Sequence, residues 1–205
     1  MSKIIVLSPF GPRIASLKIP KNIIKKINIE VDRIIISKKD LKKSDYSKKL
    51  VGQVYQEIQL SKRFINKTIK SFINKNVSAY LKKTKNKNTK IINIKNFWVV
   101  RQFKNDYNPA HFHDGDISGV GYLMIPKNLN HGKKKIKTNG TIDFINGTKS
   151  FLNESIYNHL PKVGDFILFP NYLMHVAYPF TVEGERRSFS LNIKIDKKIS
   201  NVFYD

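Results

Sequence analysis

The chain has no cysteine and only one tryptophan. Without thiols, no disulfide holds the fold, and no thiolate ligates a metal or attacks a substrate. A cytoplasmic location is the expectation that follows. Long apolar runs are also missing, so neither a transmembrane helix nor a membrane partner is expected. The apolar patch at Met1–Ser8 is cut off by Pro9 and is too short for the core of a secretory signal. Acidic residues are scarce: 15 Asp and Glu stand against 38 Lys and Arg, a net charge of +23.

Such a charge invites a nucleic-acid partner. The pattern argues otherwise. Lysines are spread along the chain, in stretches such as Asn22–Asn28 and Lys83–Asn88, beside Ile and Asn. All three residue types have A/T-rich codons, so genome composition can load a surface with lysine. Aromatic platforms interleaved with arginine, as single-strand binders use, are not evident. With 40% hydrophobic and 11% aromatic residues, the chain reads as a folded globular protein.

The periodicity changes near residue 90. Before it, Phe64, Ile65, Ile69, Phe72, Ile73, Val77, Tyr80 and Leu81 recur at helical steps, with Ser61 as N-cap. An earlier helix is expected over Tyr46 to Leu60, with Leu50, Val51, Val54, Tyr55 and Ile58 inward. Residues 1–90 thus form a helical extension. Residues 91–205 form a β core, the two making one structural unit. Strands are expected at 91–95, 97–101, 119–125, 140–144, 165–169 and 186–195, divided by Gly, Pro and Asn. Many short strands point to a sandwich or jelly-roll barrel.

Of five histidines, three sit in informative places. His111 and His113 lie two apart, and residues two apart on an extended segment share a face. His175 follows the strand at 165–169. On the last strand, Arg186, Ser188, Ser190 and Asn192 share one face by alternation, and Arg187, Phe189, Leu191 and Ile193 the other. A guanidinium and a hydroxyl on one face make a clamp for a carboxylate. Arg186 and Arg187 also read as a strand-end ion cluster with Glu183 and Glu185. Asn105 and Asn108 either contact substrate or shape the turn at Pro109. His131 and His159 have no partner pattern.

The ordered set resembles the 2-oxoglutarate- and iron(II)-dependent oxygenase superfamily, most nearly a family related to the prolyl-4-hydroxylase group. The strings that carry the resemblance are Asn108–His113, Ser118–Pro126, Gly164–Pro170, Leu173–Val176 and Arg186–Asn192. They cover about half of the chain. The resemblance implies a double-stranded β-helix, the cupin-like jelly roll, mainly β with N-terminal helices. It implies an oxidoreductase, a dioxygenase acting as a hydroxylase. His111, His113 and His175 would hold Fe(II). 2-Oxoglutarate and O2 would occupy the opposite face, with ascorbate as an optional addition. The far carboxylate of 2-oxoglutarate would pair with Arg186 and Ser188, and Tyr122 would hydrogen-bond it.

The usual facial triad has two histidines and one carboxylate. Here His113 stands where an aspartate is usual, and Asp114 or Asp116 is the alternative oxygen ligand. Two rival readings stand beside the oxygenase: a cupin-like three-histidine metal protein that does not use 2-oxoglutarate, and a basic nucleic-acid-binding module. The substrate class favoured is a peptide side chain or small molecule, with nucleic acid as a further candidate. The N-terminal helices, with loops at Pro109 and at 127–137, are expected to shape the entrance.

Overall fold

Strict alternation over residues 186–195 builds the longest rung of the architecture, and the rest is arranged about it. The computed structural model describes residues 11–132 and 138–203. The expectations for Met1–Ser8 and for the 133–137 part of the entrance loop lie outside the described residues. Ten strands appear in chain order: β1 (Ala15–Lys18), β2 (Gln56–Gln59), β3 (Ile92–Gln102), β4 (Asn108–His111), β5 (Ile117–Met124), β6 (Ile142–Ile145), β7 (Ile156–His159), β8 (Asp165–Pro170), β9 (Met174–Ala177) and β10 (Arg186–Ile195). The helices are α1 (Lys21–Ile36), α2 (Lys38–Ser44), α3 (Lys62–Thr68), α4 (Lys70–Lys85) and a short α5 (Lys197–Ser200).

Two antiparallel sheets result. The larger has the order β1-β8-β5-β10-β3-β2, the smaller β4-β9-β6-β7. The two faces of each long strand of the large sheet have different duties. Phe97 and Val99 of β3, Phe166 and Leu168 of β8, and Phe189, Leu191 and Ile193 of β10 pack against the helices in the main core. Between the sheets a smaller core gathers Val120, Tyr122, Ile142, Phe144, Ile167, Phe169 and Leu173.

The main core explains the helices. In α1, Ile23, Ile27, Val31 and Ile34 recur at steps of three and four and are buried. In α4, Ile73, Val77, Tyr80 and Leu81 do the same. The single helix expected from Phe64 onward is two, interrupted at Ile69, whose φ of −127° leaves the helical region. Ser61 caps the first of them as expected, its Oγ accepting from the Phe64 N–H at 3.2 Å. No helix of the described residues is long and apolar enough to cross a membrane.

Two sequence expectations fail here. Residues 46–60 are not a helix: a 3-10 turn at Ser47–Lys49 leads to β2, which pairs with β3. Leu50, Val51, Val54 and Ile58 mimic helical spacing, yet of these Ile58 alone is buried, while Val51 is 50% exposed. The stretch before residue 90 is not purely helical either, because β1 and β2 form the two edges of the large sheet. The strands expected at 91–95 and 97–101 are one strand with a bulge. Asn192 pairs with Asn96 but Ile193 pairs with Ile94, leaving Lys95 unmatched. The bulge shifts the alternation by one, so Ile92 and Ile94 face the helices on one side of it and Phe97 and Val99 on the other.

Candidate active site

The inner face of the large sheet and the small sheet enclose a cavity of about 260 Å³. His111, His113 and His175 stand in its wall. His111 ends β4 and His175 lies on β9, where the two are direct ladder partners. His113 follows β4 on a loop clamped at both backbone groups: its N–H donates to the Asn171 carbonyl at 3.0 Å, and Asn171 Nδ2 donates to its carbonyl at 3.0 Å. Phe112, between the two histidines, is 65% exposed, as alternation requires.

One donor atom from each imidazole lies within 4.8 Å of the others. The tautomers follow from the second ring nitrogen. His111 Nδ1 is 2.6 Å from the Pro109 carbonyl, and His175 Nδ1 is 2.9 Å from that of Leu173. A carbonyl only accepts, so Nδ1 carries the proton and Nε2 presents a lone pair to the cavity. Burial holds all three rings in the neutral form, pushing His113 down to about 4 and His175 to about 3, with the neighbouring imidazoles adding to the effect. His113 Nε2 and His175 Nε2 approach to 3.1 Å. Adjacent nitrogen ligands about 2.1 Å from one octahedral ion stand about 3 Å apart, so the pair fits a shared metal.

No carboxylate of the described residues joins this cluster. Asp114 is exposed, paired with Lys95, and accepts from the Gly115 N–H. Asp116 accepts the Ile195 N–H at 2.9 Å, tying the loop to the end of β10. Gly115 makes that path possible: its φ is +113°, and a Cβ there would lie 2.9 Å from the Ile193 carbonyl oxygen. The cluster contains His113 and neither aspartate.

Arg186 opens β10 on the cavity side and is 1% exposed. Its Nε–H donates to Gln102 Oε1 at 2.9 Å, and its terminal nitrogens donate to the carbonyls of Gly140 at 2.6 Å and Tyr178 at 3.3 Å. No carboxylate of the described residues forms an ion pair with it. Burial pulls its pKa down to about 10, against the favourable influence of Tyr122 and Asp106. Ser188 shares its face, and Tyr122 pairs with Ser188 from β5. The Tyr122 hydroxyl is raised above its ordinary pKa by burial, so it stays protonated and can donate.

Arg187 shows the other half of the alternation. It points to the opposite side and pairs with Glu185 at 2.6 Å and with Asp32 of α1 at 2.8 Å. The ion-cluster reading therefore holds for Arg187 and not for Arg186. Asn108 lines the cavity, whereas Asn105 takes a left-handed turn at φ 69° and donates to the Phe180 carbonyl. His131 is exposed on a loop, and His159 lies beside Asp165, away from the cluster. The sequence reading gave no functional role to Glu57, Trp98, Gln102 or Asn171, although Trp98, Gln102 and Glu57 all line the cavity. For Gln102 and Trp98, their place in the alternation of β3 was the available signal.

Residues 96–192 match the model of a family described as "Putative 2OG-Fe(II) oxygenase". No curated protein matches the sequence. A prolyl-4-hydroxylase from Pseudomonas putida has a TM-score of 0.60 at 10% identity, covering 88% of this chain and 91% of that one. The viral collagen prolyl hydroxylase of Paramecium Bursaria Chlorella virus-1, solved as a 2OG complex, gives 0.55 at 17% identity, covering 90% and 96%. HygX from Streptomyces hygroscopicus, solved with nickel and 2-oxoglutarate, gives 0.58 at 10% identity, covering 88% and 82%. The two-sheet architecture is thus the double-stranded β-helix expected from the sequence.

Proposed function

We propose that this chain, whose residues 96–192 match the 2OG-Fe(II) oxygenase family model, is an oxidoreductase of that family and acts as a hydroxylase, coupling substrate oxidation to conversion of 2-oxoglutarate into succinate and CO2. His111, His113 and His175 would hold Fe(II) through Nε2, and bound iron would supply the O2 chemistry that no side chain provides. Arg186, Ser188 and Tyr122 would hold the far carboxylate of 2-oxoglutarate. Three of the guanidinium's five N–H groups are already committed to Gln102, Gly140 and Tyr178. They fix its orientation and leave the remaining two for a ligand.

The observation that carries this reading is the buried cation of Arg186, with which no carboxylate of the described residues pairs. A buried charge is strongly unfavourable unless paired. A dicarboxylate reaching from the histidines to Arg186 supplies the missing anion. The three-histidine protein that does not use 2-oxoglutarate gives Arg186 no such partner, and a surface binder of nucleic acid leaves the enclosed cavity unused. The substrate reading stays with a peptide side chain or a small molecule. Prolyl hydroxylases among the similar folds support the first, and HygX, solved with hygromycin B, supports the second. Within the N-terminal region 1–90, the described residues from 11 onward then serve as an extension of the same unit, their helices covering the outer face of the large sheet.

The test is an anaerobic load with Fe(II) and 2-oxoglutarate, followed by O2. Succinate should form only when all three are present, at a slow rate before the prime substrate is known. Purified protein that binds neither iron nor 2-oxoglutarate overturns the proposal.

A further inference from the structure

A second charged group in the cavity has no part in the reaction described above. Glu57 of β2 stands opposite Val100 of β3 and is 1% exposed. Its side chain lines the cavity, and neither carboxyl oxygen has a hydrogen-bond partner among the described residues. Buried carboxyls are almost always satisfied, because losing water without a replacement is strongly unfavourable. Glu57 is thus the counterpart of Arg186: one buried group lacks an anion, the other a cation or donors.

Its surroundings narrow the choice. Arg186 occupies Gln102 Oε1, so the Gln102 amide turns its NH2 to Asn108 Oδ1 at 3.1 Å. That in turn leaves the Asn108 NH2 facing away from Gln102. Gly52 closes this corner: a Cβ there would lie 3.0 Å from Glu57 Oε1 and 3.2 Å from Asn108 Nδ2. Two aromatic rings complete the wall. The Tyr46 N–H donates to the Glu57 carbonyl at 2.9 Å, and the Tyr46 ring lies 6.1 Å from that of Trp98. Trp98 in turn lies 5.6 Å from His113. The exposed Lys49 already sets its ammonium 5.2 Å from the centre of the Tyr46 ring. A carboxyl beside aromatic faces is the chemistry that recognises organic cations.

We propose that Glu57, Tyr46 and Trp98 form a subsite for an ammonium or guanidinium group of the prime substrate. Within it, the Trp98 indole neighbours both Tyr46 and His113 and separates the rest of the subsite from the histidines. The carbon oxidised therefore lies several bonds from the cation. As a statement about substrate, this rests on the oxygenase reading. As a statement about binding, it stands on the pocket alone. On a surface of net charge +23, an acidic spot inside the cavity selects the few cations that fit rather than attracting cations at large.

Trp98 is the chain's one tryptophan, so its fluorescence reports occupancy of the subsite. The probes are n-butylammonium, n-butylguanidinium, an acetylated arginine tetrapeptide amide, and 1-pentanol as the neutral control. They are titrated into the metal-free protein and into protein loaded with Fe(II) and 2-oxoglutarate under nitrogen. The cationic probes should give a saturable change and 1-pentanol none. Glu57→Gln should weaken the cations about tenfold or more and leave Fe(II) and 2-oxoglutarate binding unchanged. Its melting temperature should not fall, since an unpaired buried charge is gone, which shows that the variant folds. Tighter binding of the tetrapeptide than of butylguanidinium assigns the cation to a peptide, and equal binding to a small molecule. Equal binding of cations by parent and Glu57→Gln, or equal binding of 1-pentanol and cations, overturns the subsite. Failure of the parent to bind Fe(II) and 2-oxoglutarate sinks the oxygenase reading instead, and the metal-free titration still decides the subsite.

Discussion

His111 and His175 face each other across the β4–β9 ladder as direct partners, their ring centres 4.2 Å apart. Backbone pairing therefore sets the distance between two of the three candidate ligands, and the third is added by a loop that Asn171 clamps. Removal of one partner leaves the metal two imidazoles. The expected result for His175→Ala is loss of metal retained after dialysis, measured by elemental analysis. Heating gives a second check. Ni(II) at about a hundred times its Kd should stabilise the parent by about 2.7 kcal/mol and His175→Ala not at all. A variant that keeps the Ni(II)-dependent shift is incompatible with this centre.

Adjacent arginines separate co-substrate binding from stability. Arg186→Lys keeps a charge but loses the planar fork. The apparent KM for 2-oxoglutarate should rise about tenfold or more, with kcat changed much less, because ground-state binding is what the fork supplies. Arg187→Gln is the control. It breaks the ion pairs to Glu185 and Asp32 on the helix side, so it should lower the melting temperature and leave the KM for 2-oxoglutarate unmoved. Similar KM changes in both variants would falsify the division of the two faces.

Close packing behind the site gives a third expectation. Gly121 lies on the helix-facing side of β5, where an added Cβ would meet Phe189 Cζ at 2.3 Å and Ile19 Cδ1 at 2.9 Å. Phe189 is fully buried and stacked on Phe97 at 4.9 Å, so the ring has little room to retreat. Gly121→Ala should destabilise the fold by about 1–3 kcal/mol, the usual range for overpacking. Urea denaturation measures it, and an unchanged midpoint contradicts the packing described.

The parts of this structure that were legible in the sequence share one property: a long element with one face committed to the core. β10 reads correctly over all ten residues, because its helix-facing side is apolar and its cavity side polar. That alternation alone put Arg186 and Ser188 together and Arg187 apart. The strands β4, β7 and β9 have four residues each, too few for a period to emerge. His111 could be picked out only by its two-residue spacing from His113, and His175 only by the order of motifs. α1 went unread because its Ile, Lys and Asn looked like composition, although Ile23, Ile27, Val31 and Ile34 carry a helical stripe. Glu57 was hidden by a false period: the apolar residues from Leu50 to Ile58 fall at helical spacing by coincidence, while pairing with β3 decides the local structure.

Glu57 also makes stability depend on pH in a way that one substitution isolates. Burial, with a smaller contribution from the negative charge of Asp45, pushes its carboxyl up to about 7. In the unfolded chain a glutamate titrates near 4.3. Between those values the unfolded state loses its proton while the folded state keeps it. A raised carboxyl therefore gives stability that is fully present below the unfolded pKa and is lost as pH rises through the folded one. The full loss is on the order of 3 kcal/mol, reached above neutrality. Glu57→Gln has no proton to lose at this position. The difference in melting temperature, variant minus parent, should therefore grow from pH 5 to pH 8 and then level off. Both proteins share every other titrating group, so the difference curve belongs to Glu57. A flat curve means that the carboxyl finds a partner in solution, and a cationic substrate analogue at pH 8 should flatten it by supplying one.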